Sequence, residues 1–377
     1  MSGANTNDSD GQGVPESLWK ALFEWSMSHQ SDGTVSVDPQ TTSRALSASD
    51  RAWLEEALAA GVVDLSKQLV EITSRLEEIL PEDASEEDVA GKARLLDELL
   101  DLVESIDQAK DLSTVGGLGT LLRVIEGNEG RPGLQSRAVE VIAACAQNNP
   151  EVQASFFRDG AMPVVWGMLG SADAACRLKA LLAVSCMLRG SSQVQAWWSV
   201  HDGVETVVGM LAGAGGAGGA GGASGRDERR IRRKCLQILE YVARRPTVED
   251  RAALASSSGK IEEALVRLLS DGDGDAVAVA DAEAPGADHD VEKAALDLGA
   301  VLAEGRLFSD VPERLVEALQ LYLARMDVVM HKKEEDWETV EENIEIGKAI
   351  LGTLGSYRPP TTEPSAAAGM QLMVNHV

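Results

Sequence analysis

The feature that most constrains this chain is an internal repeat. Gly117 opens GLGTLLRVIEG, and the stretch that follows ends in RAVEVIAACAQNNPEVQASFFRDG. Gly160 opens GAMPVVWGMLG, followed later by KALLAVSCMLRGSSQVQAWWSVHDG. Gly203 opens GVETVVGMLAG and Gly259 opens GKIEEALVRLLSDG. From Gly117 to Gly160 and from Gly160 to Gly203 the step is the same, forty-three positions. The step from Gly203 to Gly259 is longer by thirteen, and it contains GAGGAGGAGGASG at 213–225, a tract of that same length. Without the tract the third step equals the first two. A unit of this size cannot bury its apolar stripe alone. It does so against its neighbours, so the chain must fold as a stacked array.

Helical repeats of about 40–47 residues are those of armadillo and HEAT arrays. The expected fold is all-α: an armadillo-repeat right-handed superhelical solenoid with N-terminal and C-terminal capping helices. Residues 1–15 carry almost nothing to bury and are read as disordered. Residues 16–84 form an N-terminal helical region, with Leu18, Trp19, Leu22 and Phe23 on one helical face. A further helix runs from about Asp64 to Leu80, where Pro81 stops it, and PEDASEEDV follows as a charged link. One lead-in helix from Val89 to Leu112 caps the array. The array spans 85–355 with about four repeats, carries a Gly-rich insertion at 213–225 and an acidic one at 271–290, and ends on the helix of EEDWETVEENIEIGKAILGTL. Residues 356–377 are a loose Pro-rich tail.

The formal net charge of −27 excludes the basic footprint that nucleic acids or anionic membranes require. Cys145, Cys176, Cys186 and Cys235 all fall in helical patterns without CxxC pairing, as expected of free thiols in a reducing compartment. No run of eighteen apolar residues is present, and MSGANTNDSDGQG lacks the basic-then-apolar order of a secretory signal. A monomeric protein of the cytosol is expected.

Catalytic and ligand motifs fail on context. Gly213, Gly215 and Gly218 fit GxGxxG, but no strand precedes them and the tract interrupts the repeat, so it is a low-complexity loop. Asp271, Asp273 and Asp275 begin like a calcium loop, yet the required Gly and Glu are Ala276 and Ala282. His29, His201, His289, His331 and His376 are scattered and have no zinc-ligand spacing. No catalytic residue, metal or cofactor is expected, and the chain is not read as an enzyme.

One pattern points to a surface. The long helices align as SRAVEVIAACAQN, LKALLAVSCMLRG, RKCLQILEYVARR and EKAALDLGAVLAE, and each is read as the last helix of its repeat. Ala138, Ala180 and Cys235 coincide in the inward stripe, and the residue before each is Arg137, Lys179 and Lys234; Lys293 follows in the fourth copy. Steps of three or four residues along the same side reach Glu140 and Gln147 or Asn148, then Leu182, Cys186 and Arg189, then Gln237 and Tyr241. Third helices line the concave face of an armadillo array, so these positions read either as a basic ladder suited to an acidic protein surface or as solvated residues flanking the core, and the fourfold recurrence argues for the ladder. Trp197 and Trp198 are placed in the connection between repeats, where they serve packing.

The order of motifs resembles a known family. EWSMSHQSDGT, LSASDRAWLEEAL, VESIDQAKDL, QNNPEVQ and the closing charged helix follow one another as in the armadillo-type nucleotide exchange factors of the seventy-kilodalton heat-shock chaperones, in the plant-like cytosolic form. The resemblance covers roughly Glu16 to Leu354. It implies a co-chaperone of protein folding and the stress response that grips the chaperone's nucleotide-binding domain with its concave face. Strain on that domain opens the cleft, ADP leaves and client is released, with no covalent chemistry. The resemblance also places Arg137, Gln147, Asn148, Lys179, Arg189 and Lys234 toward the chaperone, and Glu140, Leu182, Cys186, Gln237, Tyr241 and Lys293 of the aligned stripe complete the expected binding face. It assigns Trp25, Ser26, His29, Asp32 and Gly33 to a stretch that displaces bound client. The alternative is an armadillo adaptor holding extended peptides in its groove. Such adaptors repeat Trp and Asn on the third helix, where this chain has Glu140, Leu182 and Gln237, then Ala144, Cys186 and Tyr241.

Overall fold

The computed structural model describes residues 65–213, 223–270, 289–308, 310, 312–332 and 337–356. The segment expected to displace client, the terminal residues and most of both insertions lie outside them. Among the described residues there are sixteen α-helices, one 3-10 turn and no strand. The result is an all-α solenoid.

Helix α1 spans Leu65–Leu76 and buries Leu69, Ile72 and Leu76 along one face. Helix α2 spans Glu86–Val103. The charged link therefore ends sooner than its composition suggests, because Ser85 and Asp88 form a reciprocal capping box that starts the helix. The expected single lead-in helix is in fact two. A break at Glu104 and Ser105 separates α2 from α3 (Ile106–Thr114).

Helix α3 is the first member of the first repeat, which continues through α4 (Gly117–Glu126) and α5 (Pro132–Ala146). The second repeat is α6 (Pro150–Arg158), α7 (Ala161–Gly167, prolonged by the 3-10 turn) and α8 (Ala174–Leu188). The third is α9 (Ser192–Val200), α10 (Gly203–Gly213) and α11 (Ala223–Arg244). The fourth is α12 (Val248–Ser256), α13 (Ser258–Ser270) and α14 (His289–Glu304). Helices α15 (Glu313–Lys332) and α16 (Trp337–Gly355) close the stack. Three helices per unit is the armadillo pattern rather than the two of HEAT units.

Two readings of the repeat need correction. In the frame that starts at Gly117 the long helix is not the last, because the short helix α6 follows α5 before Gly160. The physical start of each repeat is the cap of its short first helix, at Ser105, Asn149, Ser191 and Thr247. The first step between those caps is forty-four positions and the second forty-two, so the apparent constant period is an average. The marker glycines are also out of register. Gly117 and Gly203 are the first residues of α4 and α10, whereas Gly160 is the left-handed cap before α7, with φ of 82°. Trp197 and Trp198 lie inside helix α9 and not in a connection.

The long helices α2, α5, α8, α11, α14 and α16 pack side by side in that order. Their inward stripe carries Ala138, Ala180 and Cys235, all fully buried, and Ala294, nearly so. The short first helices contribute one large side chain at one equivalent place: Leu112, Phe156, Trp198 and Leu254 are each buried to 1% exposure or less. A Cβ on Gly117 would run into Leu112 and one on Gly203 into the Trp198 ring, so these glycines permit the close approach of first and second helices. Both insertions enter at the same corner of their repeats, between the second and the long helix: residues 214–222 join α10 to α11, and 271–288 join α13 to α14.

Candidate functional site: the face of the long helices

The stripe that remains accessible on the long helices holds the residues singled out from sequence. Arg137, Glu140 and Ala144 on α5, Lys179, Leu182 and Cys186 on α8, and Lys234, Gln237 and Tyr241 on α11 are all half-buried, as is Lys293 on α14. Gln147, Asn148 and Arg189 are exposed just beyond the ends of α5 and α8, Asn148 with a positive φ of 53°. The structure thus brings all twelve described candidates onto or beside one face of adjacent helices. Trp25, Ser26, His29, Asp32 and Gly33 lie outside the described residues.

The ladder is a ladder of ion pairs. Arg137 Nε lies 2.8 Å from Asp97 Oδ1 on α2, and Lys179 pairs with Glu140 on α5. In each case the acid sits three residues after a basic residue of its own helix (Arg94 before Asp97, Arg137 before Glu140) and reaches the basic rung of the next helix. Lys293 Nζ pairs in the other direction, 2.6 Å from Glu342 on α16. Lys234 differs. The position that should supply its acid is Leu182, and among the described residues no carboxylate lies within ion-pair distance of it. Burial lowers the pKa of its ammonium; nearby Arg189 and Arg233 lower it further, while the Cys186 thiol acts in the opposite sense.

Arg189 and Tyr241 join the second and third repeats. The guanidinium stands 5.4 Å from the Tyr241 ring centre, and Tyr241 Oη donates to the Arg189 carbonyl at 3.2 Å while accepting from Gln195 Nε2. Gln153 makes the equivalent stitch one repeat earlier. Its Nε2 donates to the carbonyls of Ala146 at 2.8 Å and Cys186 at 3.1 Å. A Cβ at Gly190 would collide with the Gln153 amide, so that glycine makes room for the stitch. This gives the QNNPxxQ motif a mechanical meaning. Asn149 caps α6, Pro150 is its first residue, and Gln153 ties α5 to α8.

Beyond α11 the face turns acidic. Asp297 on α14 has its pKa raised, first by burial, with Lys293 and Arg244 opposing and Glu240 and Glu342 reinforcing the rise. A carboxylate whose folded pKa lies above its unfolded value opposes folding while charged, and that opposition fades as pH falls through the folded value. Asp297→Asn is therefore expected to stabilise the protein at neutral pH and to leave it unchanged near pH 3. Chemical denaturation at the two pH values measures the difference.

The thiols offer no reactive group on this face. Burial pushes Cys145 and Cys235 up to about 12 and Cys176 up to about 11, and it raises Cys186 as well. Among the described residues no cluster of His, Cys, Asp and Glu could hold a metal ion, and no helix is long and apolar enough to cross a membrane. An open, mostly apolar hollow of about 350 Å³ lies beside Arg137, lined by Ala84, Val89, Ala90, Ala93, Gly133 and Leu134. Arg94 and Asp97 were missed from sequence. Lead-in helix α2 repeats the basic-plus-three-acid spacing of α5, but with Leu95 where the others carry a small residue.

Fold and face define a class: an all-α repeat solenoid with a charged, half-buried stripe along its long helices. Comparison with known proteins narrows it. Residues 19–112 match the family model described as nucleotide exchange factor Fes1, and residues 108–217 match the SIL1/FES1/HPBP1 C-terminal domain. The two matches together run over residues 19–217, and both are to models of the SIL1/FES1/HPBP1 group. Hsp70-binding protein 1 of Homo sapiens is 30% identical over 163 residues, 41% of this chain and 45% of the relative. The Rattus norvegicus protein of the same name is 31% identical over 164 residues, with the same coverage. This chain spans less than half the length of the curated relatives it matches. Among solved structures, a chain of the SYS-1/POP-1 complex superposes with a TM-score of 0.57 at 11% identity, over 79% of this chain and 50% of that one. An engineered protein gives 0.52 at 17% identity, over 78% of this chain and all of the other. These likenesses concern the fold alone.

Proposed function

We propose that this protein is a nucleotide exchange factor of a seventy-kilodalton heat-shock chaperone. The observation that carries the reading is the pair of family matches, which run end to end from residue 19 to residue 217 and cover the first two repeats and the start of the third. The half-buried stripe of α5, α8 and α11 is the binding face, and the chaperone's nucleotide-binding domain is the partner. Acceleration of ADP release needs no reacting group here. The factor binds the opened nucleotide cleft more tightly than the closed one, and only that difference in affinity lowers the barrier to release. Client release follows from exchange. The stitched repeats support this reading, since a stiff surface transmits strain to its partner without deforming itself.

The test is a stopped-flow measurement. A chaperone loaded with labelled ADP is mixed with stoichiometric amounts of this protein, and release is expected to accelerate at least tenfold, about 1.4 kcal/mol of differential binding. Unchanged release would overturn the reading.

A further inference from the structure

We propose that Lys234 is a vacant rung, kept without an internal acid so that a carboxylate of the bound chaperone completes it. The inference rests on the exchange-factor reading and goes further by naming the docking point and the chemistry that fits it. Along this face one step joins two successive pairs of long helices: Asp97 to Arg137 and Glu140 to Lys179. Applied once more, that step leads from position 182 to Lys234, and position 182 is a leucine. The ammonium is half-buried near Cys186 and Arg189, where burial weakens its hydration. Arg189 beside it also has no carboxylate partner among the described residues and is held by its stack on Tyr241. Two adjacent cations without acids stand out in a chain of net charge −27. An unpaired, partly desolvated cation costs stability in the free protein. A partner carboxylate that docks there recovers the interaction, so the vacancy favours the complex over the free state.

Leu182→Glu puts an internal acid on the vacant rung, as Glu140 does for Lys179. Calorimetry and binding to the isolated nucleotide-binding domain of a seventy-kilodalton heat-shock chaperone then give opposite signs. The variant is expected to unfold at a temperature equal to or above that of wild type, yet to bind about tenfold or more weakly. Lys234→Met removes the buried charge and is expected to show the same pair of effects. On a Lys234→Met background Leu182→Glu should add no further loss, because both changes act through one ammonium. Undiminished binding by Leu182→Glu, or additive losses in the double variant, overturns the inference while wild type still binds. A wild type that binds no chaperone overturns the exchange-factor reading, and the partner assigned to Lys234 falls with it.

Discussion

Trp198→Ala is expected to lose about 3–5 kcal/mol, the usual cost of deleting a large buried aromatic. The indole is 1% exposed, meets Trp166 edge-on with ring centres 5.7 Å apart, and lies against Gly203, which has no side chain to fill the gap. Trp198 belongs to the first helix of the third repeat, whereas Trp166 belongs to the second helix of the repeat before it, so the loss falls on the joint between repeats. Nearest-neighbour coupling holds such arrays together, so the transition should broaden or split as well as shift down. Trp198→Phe is the control. The indole N–H has no hydrogen-bond partner, so Phe removes a buried unsatisfied donor and should cost clearly less than Ala. Thermal unfolding followed by far-ultraviolet circular dichroism reads both. A sharp, unshifted transition in Trp198→Ala would show that the joint does not depend on this ring.

Reversing Lys179 and Lys234 together to Glu is expected to abolish measurable acceleration of ADP release. Loss of a buried, hydrogen-bonded charge contact costs about 2–5 kcal/mol, or roughly 30-fold upward in affinity, before any repulsion is counted. The two rungs should fail for different reasons. Lys179→Glu places a second acid against Glu140 and disturbs the helix pair itself, whereas Lys234→Glu leaves every internal ion pair intact. Single variants assayed for exchange and for stability separate the two. Lys234→Glu should fold as wild type and fail to exchange; full activity in that variant would remove Lys234 from the binding face.

The architecture was legible because each repeat carries one small residue in the same place of its long helix, and Ala138, Ala180 and Cys235 do not slip in alignment. The register was less legible. Two unequal steps, one position above and one below their mean, mimic a constant period, and left-handed Gly160 stands one position from the place of Gly117 and Gly203. Trp197 and Trp198 looked like a connection because a short helix of Ser, Gln, Trp and Val has little intrinsic tendency to form. It exists through its Ser191 cap and its packing. The basic ladder was visible, but its acids were not. Asp97 lies 40 residues before Arg137, and Glu342 lies 49 after Lys293, so pairing them requires knowing which helices are neighbours. For the same reason the meaning of Leu182 appears only in three dimensions.

Both insertions use the link that leads into the long helix, and this has a consequence for how such a chain can change over time. The cost of closing a loop grows only with the logarithm of its length, about 0.6 kcal/mol for each doubling. Contacts between repeats are made by the helices on either side, so length added at that corner leaves the stitch at Gln153, the rung spacing and the buried aromatic joints where they were. The corner acts as an expansion joint. Length or charge can change there while the face of the long helices stays constant, which makes it the natural point at which to graft a reporter or a tether.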